Sequence, residues 1–165
     1  MQFREATLRD VKEIVELINI AYRGEEGWTT ENTLIAGART TKEEVLGYLF
    51  NVKSHLFVLA SSSVKSVICV EEQEEVAYIG FFAVHPSLQG QGVGKALLKK
   101  AENFSVKTLG INYFVMSVLL DRIELIDFYV RQGYVRTNKL EDYPEDLNVG
   151  TPKHKLKVIS LVKKV

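Results

Sequence analysis

The chain is short of the features that would place it in several large protein classes. It has one cysteine, Cys69, in 165 residues, so no internal disulfide forms and a reducing compartment is expected. Only three prolines are present, no stretch is compositionally biased and no internal repeat is found. Residues 1–165 are therefore expected to form one domain. No apolar run reaches the about 18 residues that cross a bilayer. The opening Met1-Gln2-Phe3-Arg4-Glu5 lacks the basic-then-apolar layout of a signal peptide, so the cytoplasm is the expected location. Excess charge is missing too: 21 Lys plus Arg balance 21 Asp plus Glu. That balance argues against nucleic acid or an anionic membrane as the main partner. No pair of Cys or His has zinc spacing, and no metal is expected.

What is present is a clear sequence of periodicities. Behind Asp10, residues Val11, Ile14, Val15, Leu17, Ile18 and Tyr22 recur at helical spacing. Thr41 followed by Glu44 forms a capping-box signature ahead of Val45, Leu46, Leu49 and Phe50. From His55 the period becomes that of strands, with apolar or alternating runs over 56–60, 64–70 and 76–84. Their connections are too short for parallel crossovers, so these three pair antiparallel. A glycine turn then opens a helix, with Val93, Ala96, Leu97, Ala101 and Phe104 inward and Lys95, Lys99, Lys100 and Glu102 outward. Gly110 stops it, and 113–118 reads as a buried strand parallel to 76–84. A helix over Ile123 to Arg131 ends at Gly133, and strands at 134–136 and 156–162 follow. The predicted fold class is α+β: a mixed, mainly antiparallel central sheet flanked by helices, with one parallel strand pair.

The turn Gln89-Gly90-Gln91-Gly92-Val93-Gly94 lies between a strand and a helix. Glycine admits positive φ and close approach by an anion, and the first helical N–H groups have no partner within the helix. Phosphate is the natural ligand. A P-loop needs glycine where Gln89 stands and Ser or Thr where Ala96 stands, so that reading fails. The dinucleotide spacing fails as well, because its third glycine would fall on Lys95 or Leu97.

The segment from Gly80-Phe81-Phe82-Ala83-Val84-His85-Pro86 through Gln89-Gly90-Gln91-Gly92-Val93-Gly94-Lys95 to Leu98 closely resembles the acetyl-CoA-binding motif of the GNAT superfamily of N-acetyltransferases. The order of elements resembles that family along the whole chain. The resemblance implies that Phe82, Ala83 and Val84 meet the pantetheine arm through their main chain. It also implies that Gln89, Gly90, Gln91, Gly92, Val93, Gly94 and Lys95 surround the pyrophosphate of acetyl-CoA, taken as co-substrate. Phe128-Tyr129-Val130-Arg131-Gln132-Gly133-Tyr134 resembles the family segment whose tyrosine protonates the departing thiolate, which implies a catalytic role for Tyr129. Arg122 and Leu125 depart from the commoner asparagine and alanine and resemble a subset of the family.

The loop Arg23-Gly24-Glu25-Glu26-Gly27-Trp28-Thr29-Thr30-Glu31 is similar to an R-G-x-x-G-W-T-x-E element of a GNAT subgroup. That implies an acceptor pocket lined by Trp28, Thr29 and Glu31, with Tyr143-Pro144-Glu145-Asp146 as a second candidate wall. No general base stands out: Glu72, Glu74, Glu75 and His85 are candidates, and a base acting through ordered water is common in the family. The expected partner is a small-molecule amine (amine, amino acid or polyamine) or a peptide, acting on a monomer or homodimer. A protein N-terminal or lysine acetyltransferase is the alternative within the class. A non-catalytic CoA-binding sensor or assembly module is the alternative outside it.

Overall fold

The computed structural model describes residues 1–27, 30–144 and 150–165. In chain order the elements are β1 (Gln2–Glu5), α1 (Val11–Arg23), β2 (Ile35–Ala36), α2 (Lys42–Phe50), β3 (Ser54–Ala60), β4 (Val64–Gln73), β5 (Val76–Val84), α3 (Val93–Phe104), β6 (Tyr113–Leu119), α4 (Ile123–Arg131), β7 (Val135–Asp142), β8 (Thr151–Pro152) and β9 (Lys157–Lys164). Seven strands form one sheet in the order β1-β3-β4-β5-β6-β9-β7, and β2 pairs with β8 in a separate short ladder. Among the described residues of this sheet, β5 and β6 run parallel and the other neighbours antiparallel. The antiparallel run β3-β4-β5 is what its short connections predict, and the parallel β5–β6 pair is joined through α3, a helix-length link that returns the chain in the same direction.

Two features of β5 create the functional end of the sheet. First, its parallel pairing covers only Ala77–Phe114 and Tyr78–Val115, so beyond Tyr78 the two strands have parted. Second, β5 is bulged. Val67 pairs with Ala83 and Cys69 with Gly80, so Ile68 stands opposite both Phe81 and Phe82. Phe81 takes φ 48°, the left-handed residue of the bulge. The extra residue exchanges the faces of the strand. Ala77 and Ile79 pack with Leu97, Leu98 and Ile126 under α3 and α4. Phe81 and Ala83 pack with Ile14, Ile18 and Val45 under α1 and α2.

Helix ends follow their local chemistry. A 3₁₀ turn, Leu8–Asp10, precedes α1. The Asp10 carboxylate accepts the Thr7 amide at 2.8 Å and a bidentate Arg4 guanidinium at 2.8 and 2.9 Å, joining β1 to the helix start. At α2 only half of the predicted capping box forms. The Thr41 hydroxyl accepts the Glu44 amide at 3.3 Å, but the Glu44 carboxylate turns to Thr40 and Arg39 instead.

The facing of α3 needs correction. Ala96 is exposed and Glu102 is buried at 3 % exposure, the reverse of the simple helical pattern. Tyr134 Oη donates to Glu102 at 3.1 Å and Lys163 Nζ reaches both its oxygens at 3.0 Å, so the charge is buried with its partners. Lys163 also donates to the Gln132 carbonyl at 2.8 Å, which ties β9 to the end of α4. The closing strand β9 lies between β6 and β7, and β7 is the outer strand. After α3 a π-helical turn, Ser105–Leu109, runs on to Gly110, which ends the helix as expected.

Its Arg4 and Thr7 contacts hold the Asp10 carboxyl at about 2, below its ordinary 3.8. Its stabilising effect is present above the unfolded value and lost as pH falls through the folded one. Asp10→Ala should therefore cost about 1–2 kcal/mol at neutral pH, allowing for partial solvent screening. Denaturant titrations should show the gap closing between about pH 4 and pH 2; a gap independent of pH would contradict this.

Candidate active site

Where β5 and β6 separate, the antiparallel alternation of β5 decides which backbone groups face the gap. His85 N–H donates to Lys65 on the β4 side at 2.9 Å, and Ala83 pairs with Val67. Phe82 and Val84 therefore turn their main-chain groups away from β4. Their carbonyls confirm this direction: Phe82 O accepts the Tyr22 hydroxyl at 3.1 Å, and Val84 O accepts the Gln89 side-chain amide at 3.0 Å. The Phe82 and Val84 amides face the opening, as a sheet edge that an extended ligand can join.

That opening is a cleft of 730 Å³. One wall is the β5 edge, from Phe82 to Val84, and another is the glycine turn at the start of α3, with Gln89, Gly90, Gly92, Gly94 and Lys95. Gln91 and Val93 lie in the same turn but off the lining; Gln91 instead donates to the Ser87 carbonyl at 3.0 Å. Gly92 is the residue before the helix, at φ 79°, and a Cβ there would meet nothing within 4 Å. The first intrahelical bond runs from the Ala96 amide to the Gly92 carbonyl, at 3.0 Å. The amides of Val93, Gly94 and Lys95 are thus left at the positive end of the helix dipole, where an anion is favoured. The Gln89 side chain points inward to Val84 and toward Gly27, so it braces the turn from behind.

The third wall is α4. Arg122, Leu125, Phe128, Tyr129 and Gln132 line the cleft, as one helical stripe would. Tyr129 is held at the end of that helix by backbone and ring contacts. The Tyr134 amide donates to the Tyr129 carbonyl at 3.1 Å and the Gly133 amide to the Val130 carbonyl at 3.0 Å, a Schellman ending with Gly133 at φ 97°. The Tyr129 ring packs edge-on against Tyr134 and Phe128 and lies 6.4 Å from Phe82. Its hydroxyl has no hydrogen-bond partner among the described residues. Burial pushes it well above the ordinary tyrosine value of 10.0, the nearby Tyr22 raises it further and the Arg122 guanidinium offsets part of this. At neutral pH Tyr129 is a protonated donor facing the cleft.

The Tyr22 end of the cleft is organised by charge. Arg23 Nε lies 2.9 Å from Glu31 Oε1, and Arg122 Nη1 lies 3.3 Å from Glu31 Oε2, with all three side chains at most 7 % exposed. Glu31 does not line the cleft; both its oxygens are engaged by arginine, and it fixes the loop after α1 against α4. Trp28, Thr29, Glu145 and Asp146 lie outside the described residues. Arg23 also donates to the Tyr143 hydroxyl at 3.0 Å, so Tyr143 belongs to this support as well. Tyr22, read from the sequence only as a core-facing helix residue, proves to be central. Besides its bond to Phe82, its ring carries Arg39 at 5.3 Å and Arg122 at 5.5 Å. Its position at the end of α1, just before the unusual loop, was the only sequence signal for this.

The candidate bases lie elsewhere. Glu72 is 2.7 Å from His55, Glu74 and Glu75 border a separate depression near Tyr113, and His85 bonds Ser87. None lines the cleft, and the described lining contains no carboxylate or histidine. Cys69 is buried, its thiol pushed up by burial, in the core between β4 and α1.

The fold has known counterparts. The ribosomal-protein-alanine N-acetyltransferase of Brucella melitensis superposes with TM-score 0.73 at 14% identity, covering 100% of both chains. The ribosomal-protein-S18-alanine N-acetyltransferase of Escherichia coli gives 0.71 at 14% identity, covering 99% of this chain and 93% of that one. A spermidine N-acetyltransferase mutant of Vibrio cholerae gives 0.68 at 14% identity over 99% and 95%. At such identities the likeness is one of fold. An uncharacterised N-acetyltransferase of Methanocaldococcus jannaschii is 38% identical over 64 residues, which is 39% of this chain and 41% of that protein. The family model of the GNAT acetyltransferases matches residues 10–134, a span that includes the bulged strand, the glycine turn and Tyr129. The chain belongs to the GNAT acetyltransferase family.

Proposed function

We propose that this protein transfers an acetyl group from acetyl-CoA to a primary amine by direct attack, with both substrates in the cleft at once. The observation that carries the reading is the convergence of three elements on one opening: the unpaired edge of β5, the glycine-started α3 and the Tyr129 hydroxyl. Acetyl-CoA supplies an activated thioester. The Val93, Gly94 and Lys95 amides hold its pyrophosphate, and the Phe82 and Val84 amides receive the amides of its pantetheine arm as a neighbouring strand would. The fit is chemical as well as spatial, because the turn offers several aligned N–H donors to an anion and charge-assisted bonds of this kind are strong.

The acceptor nitrogen attacks the thioester carbonyl, the C–S bond breaks, and the Tyr129 Oη–H protonates the departing sulfur. The attacking nitrogen sheds one proton to become an amide, and the phenolate regains one from solvent. With no carboxylate or histidine in the described lining, the ammonium form of the acceptor loses its proton to water before attack. The acceptor enters between Tyr22, Arg122 and the loop after α1, with Trp28 and Thr29 proposed as further contacts and Glu31 as their anchor. The acceptor in this reading is a small amine, such as an amino acid or a polyamine.

Tyr129→Phe should lower kcat about 100-fold while leaving the acetyl-CoA Kd within a few-fold; an unchanged kcat would remove Tyr129 from its role. Gly92→Val forces a β-branched residue to φ 79°, a strain of about 1–2 kcal/mol, and crowds the anion site. Calorimetry should show acetyl-CoA affinity reduced about 10-fold or more, and a normal Kd would contradict the cradle. In pH–rate profiles, kcat/KM should climb with unit slope toward the acceptor's own amine pKa, with no plateau near pH 6–7. A plateau there would reveal a protein base.

A further inference from the structure

The cleft wall runs from the glycine turn past Val84 and Phe82 to the last turn of α1, where Ala21 and Tyr22 stand. Phe82 is the first residue of β5 to line it. In the transferase reading the cofactor follows the same course. Its pyrophosphate lies at the turn, its arm runs along Val84 and Phe82, and its thioester emerges past Phe82. Tyr22 is the side chain that meets it there, because the Tyr22 hydroxyl donates to the Phe82 carbonyl at 3.1 Å. The phenol thus spans from α1 to the end of the open strand edge.

Several contacts fix this ring. The Arg39 guanidinium lies 5.3 Å and that of Arg122 5.5 Å from its centre. Arg39 is held in turn by Glu44 at 3.3 Å, and its amide by the Asn19 side chain at 2.9 Å. The Tyr22 carbonyl accepts the Glu31 amide at 2.6 Å. Swinging the ring aside would give up a hydrogen bond and two cation–π contacts together. Tyr22 is therefore a wall and not a gate. Tyr129 faces the same space: burial first, and then the nearby Tyr22, hold its hydroxyl above the ordinary tyrosine value. The Phe82 ring stands 6.4 Å from that of Tyr129, and Leu125 lines the cleft one helical turn before it. The departing sulfur must lie among these side chains, so the carbon chain attached to it does too. Forcing extra methylenes into a fixed, packed surrounding is unfavourable.

We propose that Tyr22 sets the length of the acyl group: its ring closes the reacting end of the cleft, so that acetyl-CoA is used and propionyl- and butyryl-CoA are rejected. This rests on the transferase reading of the same cleft. Tyr22 is a specificity-determining residue, with the Phe82 carbonyl, Arg39 and Arg122 holding it in position.

The test measures kcat/KM for acetyl-, propionyl- and butyryl-CoA with the unaltered protein and one amine that it acetylates. Each added methylene should lower kcat/KM about 10-fold or more. Tyr22→Ala should relax the preference for acetyl over butyryl by about 10-fold or more, while the Kd of CoA itself, which has no acyl group, stays within a few-fold. A merely structural role for Tyr22 would lower all three donors alike and leave their ratio unmoved. Equal use of acetyl- and butyryl-CoA by the unaltered protein would overturn the inference, as would a preference that survives Tyr22→Ala; the transferase reading would stand in both cases. Acetyl-CoA binding without turnover on any amine would overturn the transferase reading and this inference with it. If Tyr22→Ala does not fold, Tyr22→Leu also shortens the wall, and the same ratio decides.

Discussion

Phe81 occupies a backbone region that costs an ordinary residue about 1–2 kcal/mol, and the cleft depends on the bulge that holds it there. With an unbulged β5, residues 77, 79, 81 and 83 would share one face. Phe81 instead lies under α1 and α2 at 4 % exposure, its ring 4.9 Å from Tyr48. Burying an aromatic ring of that size is worth more than the strain. The face exchange puts Phe82 beside Tyr129 rather than beneath α1. It also turns the Phe82 and Val84 amides toward the side where β6 has already departed. The open edge of β5 and the approach of Phe82 to Tyr129 are therefore both consequences of one inserted residue.

Rigid supports surround this opening. The Schellman ending of α4 and the buried Glu102–Lys163–Tyr134 group fix Tyr129 from behind. Gln89 braces the glycine turn against Val84. At the Tyr22 end of the cleft the Arg23–Glu31–Arg122 trio joins the end of α1, its following loop and the start of α4. Catalytic groups held by packed helix ends and buried ion pairs keep their geometry without waiting for substrate. Breaking one partner of such a pair is costly, because the remaining charge stays buried.

Much of this was legible in the amino-acid sequence, for identifiable reasons. The antiparallel run β3-β4-β5 followed from connections too short for any other arrangement. The parallel pair followed from a helix-length link, and the glycine turn from a spacing that fits neither a P-loop nor a dinucleotide site. What escaped depends on contacts between distant residues. Glu102 and Lys163 are 61 residues apart, and Glu31 and Arg122 are 91 apart, so no local period signals that these charges are buried together. The bulge escaped because its left-handed residue is Phe81, while Gly80, the obvious candidate, lies just before it. Glu31 reads from the sequence as a pocket-lining residue; its two arginine partners give it a supporting role instead.

The account turns on the unpaired edge of β5 accepting the acyl donor as though it were another strand. Amide hydrogen exchange followed by NMR, with and without acetyl-CoA, reads this directly. The Phe82 and Val84 amides, together with those of Val93 to Lys95, should exchange quickly in the free protein and be protected about 10-fold or more when acetyl-CoA is saturating. The Ala83 amide, already facing β4, should change far less. Saturating acetyl-CoA that left Phe82 and Val84 exchanging as before would contradict the account, because the cofactor would then lie somewhere other than along that edge.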